Sequence, residues 1–346
     1  MRKKRVLVAM SSGVDSSLAA ALLLEQGYEV IGITMDLFAD PPDAAQVTKT
    51  LGIEHHLLDL RQEFQDKVIT DFSAEYAQGR TPNPCIRCNE QIKFRILWER
   101  AADFDAEFMA TGHHARIYFS DCFKRYFLLK GDDPAKDQSY FLYRLTQEQL
   151  ARSLFPIGEL TKAGVREKAR QLDLPVAERP ESQEICFIPD NDYAGFLEKR
   201  IPEAFLPGPI KDAAGNTLGE HTGILRYTVG QRRGLGIAAP RPLYVLEIRT
   251  TDNVVVVGEE HLLYKDRLRA VSLNWISQPK LDQTLEVKAR IRYRHEESRA
   301  RVIPSGEDEV TVEFQEPQRA VSPGQSVVFY TRDQVLGGGI IDRTDP

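Results

Sequence analysis

Three cysteines and one serine-rich turn are the residues in this chain best placed to do chemistry. Met10-Ser-Ser-Gly-Val-Asp-Ser-Ser17 follows a short apolar run and precedes an Ala/Leu-rich one. Small residues in such a turn let backbone N–H groups approach a phosphate, and the helix N-terminus behind them adds partial positive charge. Ser11, Ser16 and Ser17 offer hydroxyls to the same anion. There is no Gly-Lys-Ser/Thr, so this is not a Walker A loop with a lysine on the β/γ-phosphates. Ser/Asp helix caps are common, but the full run directly after an N-terminal strand favours phosphate binding. Further along, Arg80-Thr-Pro-Asn-Pro-Cys85-Ile-Arg-Cys88-Asn-Glu-Gln-Ile-Lys-Phe94 sets two cysteines three apart at the mouth of a helix. At that spacing they share a face, and the helix N-terminus should draw a thiol towards thiolate. Cys186, in Glu181-Ser-Gln-Glu-Ile-Cys186-Phe-Ile, and Cys122 read on their own as small buried hydrophobes.

The elements that must position these residues alternate in type. Arg5 to Met10, Glu29 to Met35 and His55 to Leu60 are short apolar runs expected as buried strands. Helices are expected over Ser16–Gln26, Asp43–Leu51, Gln62–Gln78, Asn89–Ala102, Gln147–Ser153, Lys162–Gln171 and Asn191–Arg200. This βαβα order predicts an α/β domain with a parallel sheet covered on both faces. From Gly208 onward the texture becomes short β-rich runs, among them Leu243–Ile248, Asn253–Gly258, Thr284–Arg294, Glu309–Phe314 and Ser326–Tyr330. Such spacing suggests small β-barrels. The expected division is 1–200, 201–266 and 267–346.

At 346 residues two or three domains are natural, and a hydrophobic fraction of 42% with 28% charged residues fits a globular chain. No apolar run approaches the ~20 residues of a membrane span. The start resembles a signal peptide, but Ser11-Ser12-Gly13 and Asp15 interrupt it, so a cytoplasmic protein is expected. Four cysteines in a chain this long do not form a disulfide scaffold. The net charge of −6 speaks against nucleic-acid binding on average, although local patches decide the matter. Lys288, Arg290, Arg292 and Arg294 alternate with Ala289, Ile291 and Tyr293, which on a strand puts four cations on one side. They serve either phosphates or simply a solvated face.

The serine-rich turn resembles the Ser-Gly-Gly-Val-Asp-Ser signature of PP-loop ATP pyrophosphatases. Ser12 stands where that family has its first glycine, a change tolerated if φ there is negative. Together with Thr111-Gly-His-His-Ala115, Lys136-Asp-Gln-Ser-Tyr-Phe-Leu142, Phe155-Pro-Ile-Gly158, Thr222 to Gly236 and Ala320-Val-Ser-Pro-Gly-Gln325, the chain resembles the bacterial tRNA-specific 2-thiouridylases nearly end to end. The resemblance implies a PP-loop domain followed by two β modules. It also implies ATP-dependent adenylation of a tRNA uridine O2 and sulfur transfer to C2. Cys88 would be the nucleophile and Cys186 the persulfide carrier. ATP would lie on Ala9, Met10, Ser11, Ser12, Gly13, Val14, Asp15, Ser16, Met35 and Gly112. Asn83, Pro84 and Cys85 would meet the target base. Further tRNA contacts would be His113, Lys136, Asp137, Gln138, Arg292, Tyr293 and Gln325. The expected partners are wobble uridines of the Lys, Glu and Gln acceptors and a sulfur donor. Mg²⁺ is expected on the polyphosphate, with Asp15 as its protein ligand.

Two departures from the family pattern matter. Asp36-Leu-Phe-Ala-Asp-Pro-Pro-Asp43 is shorter than the cysteine-bearing insertion of many members. Position 85 is cysteine, where well-known members have aspartate. Cys85, Cys88 and Cys186 therefore resemble the ligand set of thiolases carrying a [4Fe–4S] cluster with one open iron. Persulfide relay, cluster-borne sulfide and a zinc on the three cysteines with a histidine such as His113 all stay open. Two rival functions use the same features differently. Amide or guanidino synthesis on the same loop needs no paired cysteines, and a non-catalytic tRNA-binding protein needs no intact Asp15, Ser16, Cys88 and Cys186.

Overall fold

The computed structural model describes residues 3–38, 44–180, 185–188, 190 and 192–344. Residues 39–43 of the shortened segment, Glu181–Glu184 ahead of Cys186, and Asn191 lie outside the described residues.

The apolar runs expected as strands form one parallel sheet. Its strands are β1 (Arg5–Ala9), β2 (Glu29–Asp36), β3 (Glu54–Asp59), β4 (Phe108–Ala110) and β7 (Ser153–Leu154), in the order β3-β2-β1-β4-β7. Val6, Leu7 and Val8 are fully buried, as a central strand covered on both faces requires. The order reverses direction at β1, whose neighbours are β2 and β4. In such sheets the crevice at the strands' carboxyl ends, on either side of the reversal, is where ligands bind. Helix α1 (Val14–Glu25) starts from that edge of β1 and ends just before Gly27, at φ 87.

Two long helices flank the sheet, and both are wound irregularly. Helix α3 runs from Arg61 to Ala77 with a π-helical turn over Gln65–Ile69. Helix α4 runs from Pro84 to Ala101, π-helical over Asn89–Ile96. It starts well before Asn89, where periodicity alone begins it. Asn83 caps it through Oδ1, accepting from the N–H groups of Cys85 (3.1 Å) and Ile86 (3.4 Å), and Pro84 occupies N1. Helix α5 (Lys162–Gln171) spans the expected residues and is capped by Thr161.

The second half is β-rich as expected. Strands β8 (Gly208–Asp212), β9 (Thr217–His221), β10 (Tyr244–Arg249) and β11 (Val254–Gly258) make a four-stranded sheet. Its core shares Phe72 and Tyr76 of α3. Strands β12 (Tyr264–Trp275), β13 (Leu285–Arg290), β14 (Ser298–Gly306), β15 (Glu309–Arg319), β16 (Ser326–Thr331) and β17 (Gln334–Arg343) close into a barrel through β12–β17 pairing. β12 begins at Tyr264, ahead of the break expected at residue 267. β13 ends at Arg290, so Arg292 and Arg294 lie on a turn rather than beside Lys288 on one strand face.

A hairpin from the first half joins this barrel. Strands β5 (Ala115–Ser120) and β6 (Arg125–Lys130) extend its sheet, β6 pairing with β17 at Leu129–Gln334 and Leu128–Val335. Sequence reading missed the hairpin, and Cys122 at its tip is exposed rather than buried. Ser326 on β16 ties the seam further. Its carbonyl accepts from the Tyr140 hydroxyl (2.8 Å), and its hydroxyl meets that of Tyr143 (3.0 Å). Both tyrosines are fully buried. Gly338 on β17 leaves room for the Tyr143 ring, since a Cβ there would stand 2.7 Å from a ring carbon. Ser326→Ala strands the Tyr143 hydroxyl in the core and is expected to cost about 1–3 kcal/mol, read from the shift in urea midpoint.

Candidate active site

The turn after β1 is tied by its own serines. Ser11 N–H donates to Ser16 Oγ (3.1 Å), Ser16 Oγ to the Gly13 carbonyl (3.2 Å), and Ser17 Oγ to the same carbonyl (2.9 Å). The expected negative φ at Ser12 is overturned: φ is 57, in the left-handed region. Gly13 is extended at φ −86, so the glycine-favouring position is the one that carries serine. Arg179 steadies that strained peptide by donating to the Ser12 carbonyl (3.2 Å).

Gly112, after β4, packs directly on this turn. A Cβ on it would lie 2.6 Å from Asp15 C and Ser16 N, so only glycine permits the approach. Ala9, Met10, Val14 and Ser16 are buried, and Met35 sits at the end of neighbouring β2. The residues expected around ATP therefore converge at the reversal point of the sheet.

Asp15 does not stand open for Mg²⁺. Lys162 Nζ reaches both carboxylate oxygens (2.7 and 2.8 Å), and His114 Nε2 lies 3.4 Å from one of them. Burial raises the Asp15 carboxyl, but the bonds from His114 and Lys162 outweigh it and hold it below the usual carboxylate range. The expected protein ligand for magnesium is thus an ion-pair partner. Lys162, from the start of α5, is thus the cation that reaches the turn. Sequence reading missed Lys162, His114 and Arg179. Only the conjunction of α5's N-terminus with the sheet edge reveals them.

The cysteines sit along α4. Cys88 is buried among Leu60, Phe64, Val68, Ile69 and Ile92, while Cys85, one turn earlier, is exposed. Cys186 is exposed, and its neighbour Phe187 packs on Phe64 (5.6 Å) and Phe72 (5.4 Å), beside the cluster that holds Cys88. The three thiols lie in one another's field. The expected drop towards thiolate does not occur. Burial pushes the Cys88 thiol up to about 11, while Cys85 and Cys186 stay open to solvent. Desolvation outweighs the helix end here.

Among the described residues no three His, Cys, Asp or Glu side chains are arranged to hold a metal ion. Cys85, Cys88 and Cys186 as placed therefore do not form a ligand set for a [4Fe–4S] cluster, because Cys88 faces an apolar cluster while the other two are exposed. His113 does not complete a zinc site. Its Nδ1 meets Thr111 Oγ1 (2.7 Å), its ring packs on Phe94 and Phe155, and burial lowers its pKa so that it is neutral.

Several residues expected on tRNA also hold the scaffold together. Asp137 is buried and accepts from Gly131 N–H, Ser139 N–H and Ser139 Oγ. Gln138 accepts from His114 N–H (2.9 Å), and Lys136 is half-buried. Arg290 is bonded to Asp137 and Glu297, and Arg292 donates to the Arg319 carbonyl (3.0 Å). Gln325 donates to the Thr81 and Pro82 carbonyls (2.8 and 3.4 Å), immediately before Asn83 and Pro84. Tyr293 packs on Phe141 with tilted rings (4.3 Å), and the Phe141 carbonyl accepts from Asn89, the residue after Cys88. The barrel thus reaches the start of α4 at two points.

Gly112→Ala is expected to lower ATP affinity at least tenfold, because the added carbon overlaps the turn backbone; isothermal titration reads it. Ser12→Gly should leave stability within about 1 kcal/mol, whereas Ser12→Val should lose on the order of 2 kcal/mol in chemical denaturation.

Three family models match the chain. The family described as tRNA methyl transferase HUP domain matches residues 4–190, the PRC-barrel domain of that name matches 194–259, and an aminomethyltransferase beta-barrel domain matches 265–341. The tRNA-specific 2-thiouridylase MnmA 2 of Thermoanaerobacter sp. (strain X514) is 49% identical over 356 residues, 98% of each chain. The tRNA-specific 2-thiouridylase MnmA of Acetivibrio thermocellus is 49% identical over 358 residues, covering 99% of this chain and 100% of that one. That of Geotalea uraniireducens is 49% identical over 360 residues, covering 99% and 96%. At such identity over nearly the full length of both partners, this chain belongs to the tRNA-specific 2-thiouridylase (MnmA) family.

Proposed function

We propose that the chain uses ATP to adenylate O2 of a tRNA uridine and then replaces that oxygen with sulfur, giving 2-thiouridine, AMP and pyrophosphate. The observation that carries the chemistry is the pairing of a phosphate-sized turn, backed by Lys162 and Gly112, with Cys88 and Cys186 beside one apolar cluster. Uridine O2 is a poor leaving group and AMP a good one. The donors of the turn and the Lys162 ammonium face the polyphosphate, and Mg²⁺ travels on the ATP phosphates themselves.

The sulfur step follows from the thiols. A persulfide on Cys186 attacks C2 through its terminal sulfur, and AMP leaves with the former 2-oxygen. Cys88 thiolate then attacks the Cys186 sulfur. The S–S bond to the base breaks, its electron pair stays on the base sulfur, and a Cys88–Cys186 disulfide forms. An external dithiol reduces that disulfide, and a persulfide donor reloads Cys186. This relay suits the arrangement better than cluster-borne sulfide, given the missing ligand geometry. The base must be splayed from its loop to reach Cys88, and Asn83, Pro84 and Cys85 stand at that entrance. Wobble uridines of the Lys, Glu and Gln acceptors are the proposed targets and the cytoplasm the proposed place of action.

We read residues 1–200 as the catalytic unit, 201–266 as a central β module and 267–346 as the barrel that meets tRNA. With Arg290 and Arg292 engaged internally, Lys288 and Arg299 are the candidate phosphate contacts, cross-strand neighbours and both exposed. Replacing both with alanine should weaken tRNA binding and flatten its salt dependence while ATP affinity stays unchanged. Equal loss of ATP affinity would overturn that assignment.

The central test supplies ATP, tRNA and a persulfide donor. Wild type should release pyrophosphate in a tRNA-stimulated manner and form 2-thiouridine. Cys88→Ser and Cys186→Ser should keep pyrophosphate release and lose at least a hundredfold in thiolation. Thiolation that needs protein-bound iron and acid-labile sulfide, and ignores the persulfide donor, would sink the relay. Absence of tRNA-stimulated pyrophosphate release would favour one of the rival functions.

A further inference from the structure

The hairpin that joins the barrel leaves β5 at the margin of an eight-stranded sheet, paired on one side only, with β6. The bonds made by β6 fix which way the backbone groups of β5 point. Lys130 N–H donates to the Asp333 carbonyl (2.8 Å), and the N–H and carbonyl of Tyr126 both bond the Gln147 side chain (2.8 and 2.9 Å). Residues 126, 128 and 130 therefore face away from β5, and 127 and 129 face towards it. Through the pairs Ile117–Leu128 and Phe119–Tyr126, the N–H and C=O groups of Ile117 and Phe119 point out of the sheet's edge. Among the described residues no hydrogen bond reaches them. Ala115, the other outward residue, is closed off. Its N–H bonds the His113 carbonyl (3.0 Å), and its own carbonyl packs on Gly158, where a Cβ would come within 1.9 Å.

Proteins guard an open edge with lysine, proline or a bulge. β5 pairs with β6 without a register shift, and its sequence Ala-Arg-Ile-Tyr-Phe-Ser holds one charge. That charge is turned back across β6, where Arg116 donates to the Lys130 carbonyl (2.8 Å) and to Asp333 (2.9 Å). The edge presents aromatic rings instead. Tyr118 is 56% exposed, Phe119 40% and Phe123 65%, leaning on Phe127 and Tyr126 of the same hairpin. The nearby cations are engaged, Lys124 with Asp121 (3.2 Å), Lys130 with Glu297 and Arg125 with the Ile276 carbonyl (3.2 Å). The patch thus holds little charge to attract a polyanion or to repel its own copy.

We propose that β5 is a dimerisation edge, occupied by β5 of a second copy running antiparallel about a twofold axis at Tyr118. Backbone complementarity selects this partner and this register. With the axis at Tyr118, Ile117 faces the second copy's Phe119, and Phe119 faces its Ile117. Each such pair exchanges two N–H···O bonds, so every outward group of both strands is satisfied at once. Moving the axis to Ile117 would set Phe119 against Ala115, whose groups are already engaged. Moving it to Phe119 would set Ile117 against Asp121, in the turn of the hairpin. At the axis the two Tyr118 residues form a non-hydrogen-bonded pair with Cα atoms about 4.5 Å apart, the closest side-chain approach in an antiparallel ladder. The Phe119 ring is covered by Ile117 of the second copy. The contact uses the same surface on both copies and closes on itself.

The test is sedimentation equilibrium of the full chain over about 1 to 100 μM. Wild type should show a concentration-dependent equilibrium between monomer and dimer. Tyr118→Lys sets two like charges against each other on the axis and should raise the dimer Kd about tenfold or more, as should Tyr118→Glu. An equimolar mixture of the two variants should regain the dimer, because the axis then holds opposite charges. ATP affinity serves as the folding control. Should the charged variants fail to fold, Tyr118→Cys in a Cys122→Ser background replaces them. Mild oxidation should then link two copies at position 118, seen as a cross-linked peptide by mass spectrometry, whereas Phe119→Cys in the same background should give no such link. Wild type that stays monomeric throughout the range overturns the proposal and leaves the edge to a different partner. A dimer indifferent to both charges, or one the mixture does not restore, overturns it as well.

Discussion

The seam between the parallel sheet and the barrel is the constraint on which the rest of the molecule depends. One residue, Ser326, receives the Tyr140 hydroxyl on its carbonyl and meets the Tyr143 hydroxyl with its own. The next residue back, Gln325, grips Thr81 and Pro82. Those two carbonyls lead directly into the Asn83 cap and hence into the first turn of α4. The helix that carries Cys85 and Cys88 is therefore anchored by the barrel as well as by the sheet. A loop held at both ends loses little further entropy when it accepts a base.

The two ends of the site use opposite electrostatics. At the turn, the bonds that Lys162 and His114 make to Asp15 outweigh its burial. Around α4, apolar packing keeps the Cys88 thiol protonated and His113 neutral. Adenylation needs fixed charge to meet a polyanion, whereas sulfur transfer needs water kept away from a persulfide. One sheet edge and one helix supply these environments.

What was legible in the sequence follows how local the signal was. β1, β2 and α5 were readable because continuous apolar runs and a Thr161 cap are short-range features. The phosphate turn and the paired cysteines were readable because spacing alone carries their chemistry. The start of α4 was readable in principle from Asn83-Pro84, but the helical period seemed to begin later. Lys162 was invisible because 147 residues separate it from Asp15. Arg292 was misplaced because alternation of Lys288 to Arg294 imitates a strand beyond the point where β13 ends. The run Gly337–Gly339 resembles a loop, and only its close neighbours in the fold, the Tyr143 ring and the backbone of Asn274, Val327 and Val271, explain why a strand needs glycine there. In the motif from Lys136 to Leu142, the bonds by which Asp137, Gln138 and Tyr140 hold the molecule together were invisible because spacing does not show their partners.

The hairpin β5–β6 carries a consequence for synthesis. It leaves the ribosome early, yet its partner strand β17 lies some two hundred residues downstream, pairing Leu128 and Leu129 with Val335 and Gln334. Until that strand emerges, β6 is an unpaired edge, next to a tip where Tyr118 and Phe123 are more than half exposed even in the finished fold. Barrel closure also waits on β17, the last strand of the chain. The nascent chain must therefore carry a sticky hairpin through most of translation, a burden that falls on chaperones and elongation rate. Truncation within the last dozen residues would remove the strand that both closes the barrel and shields the hairpin.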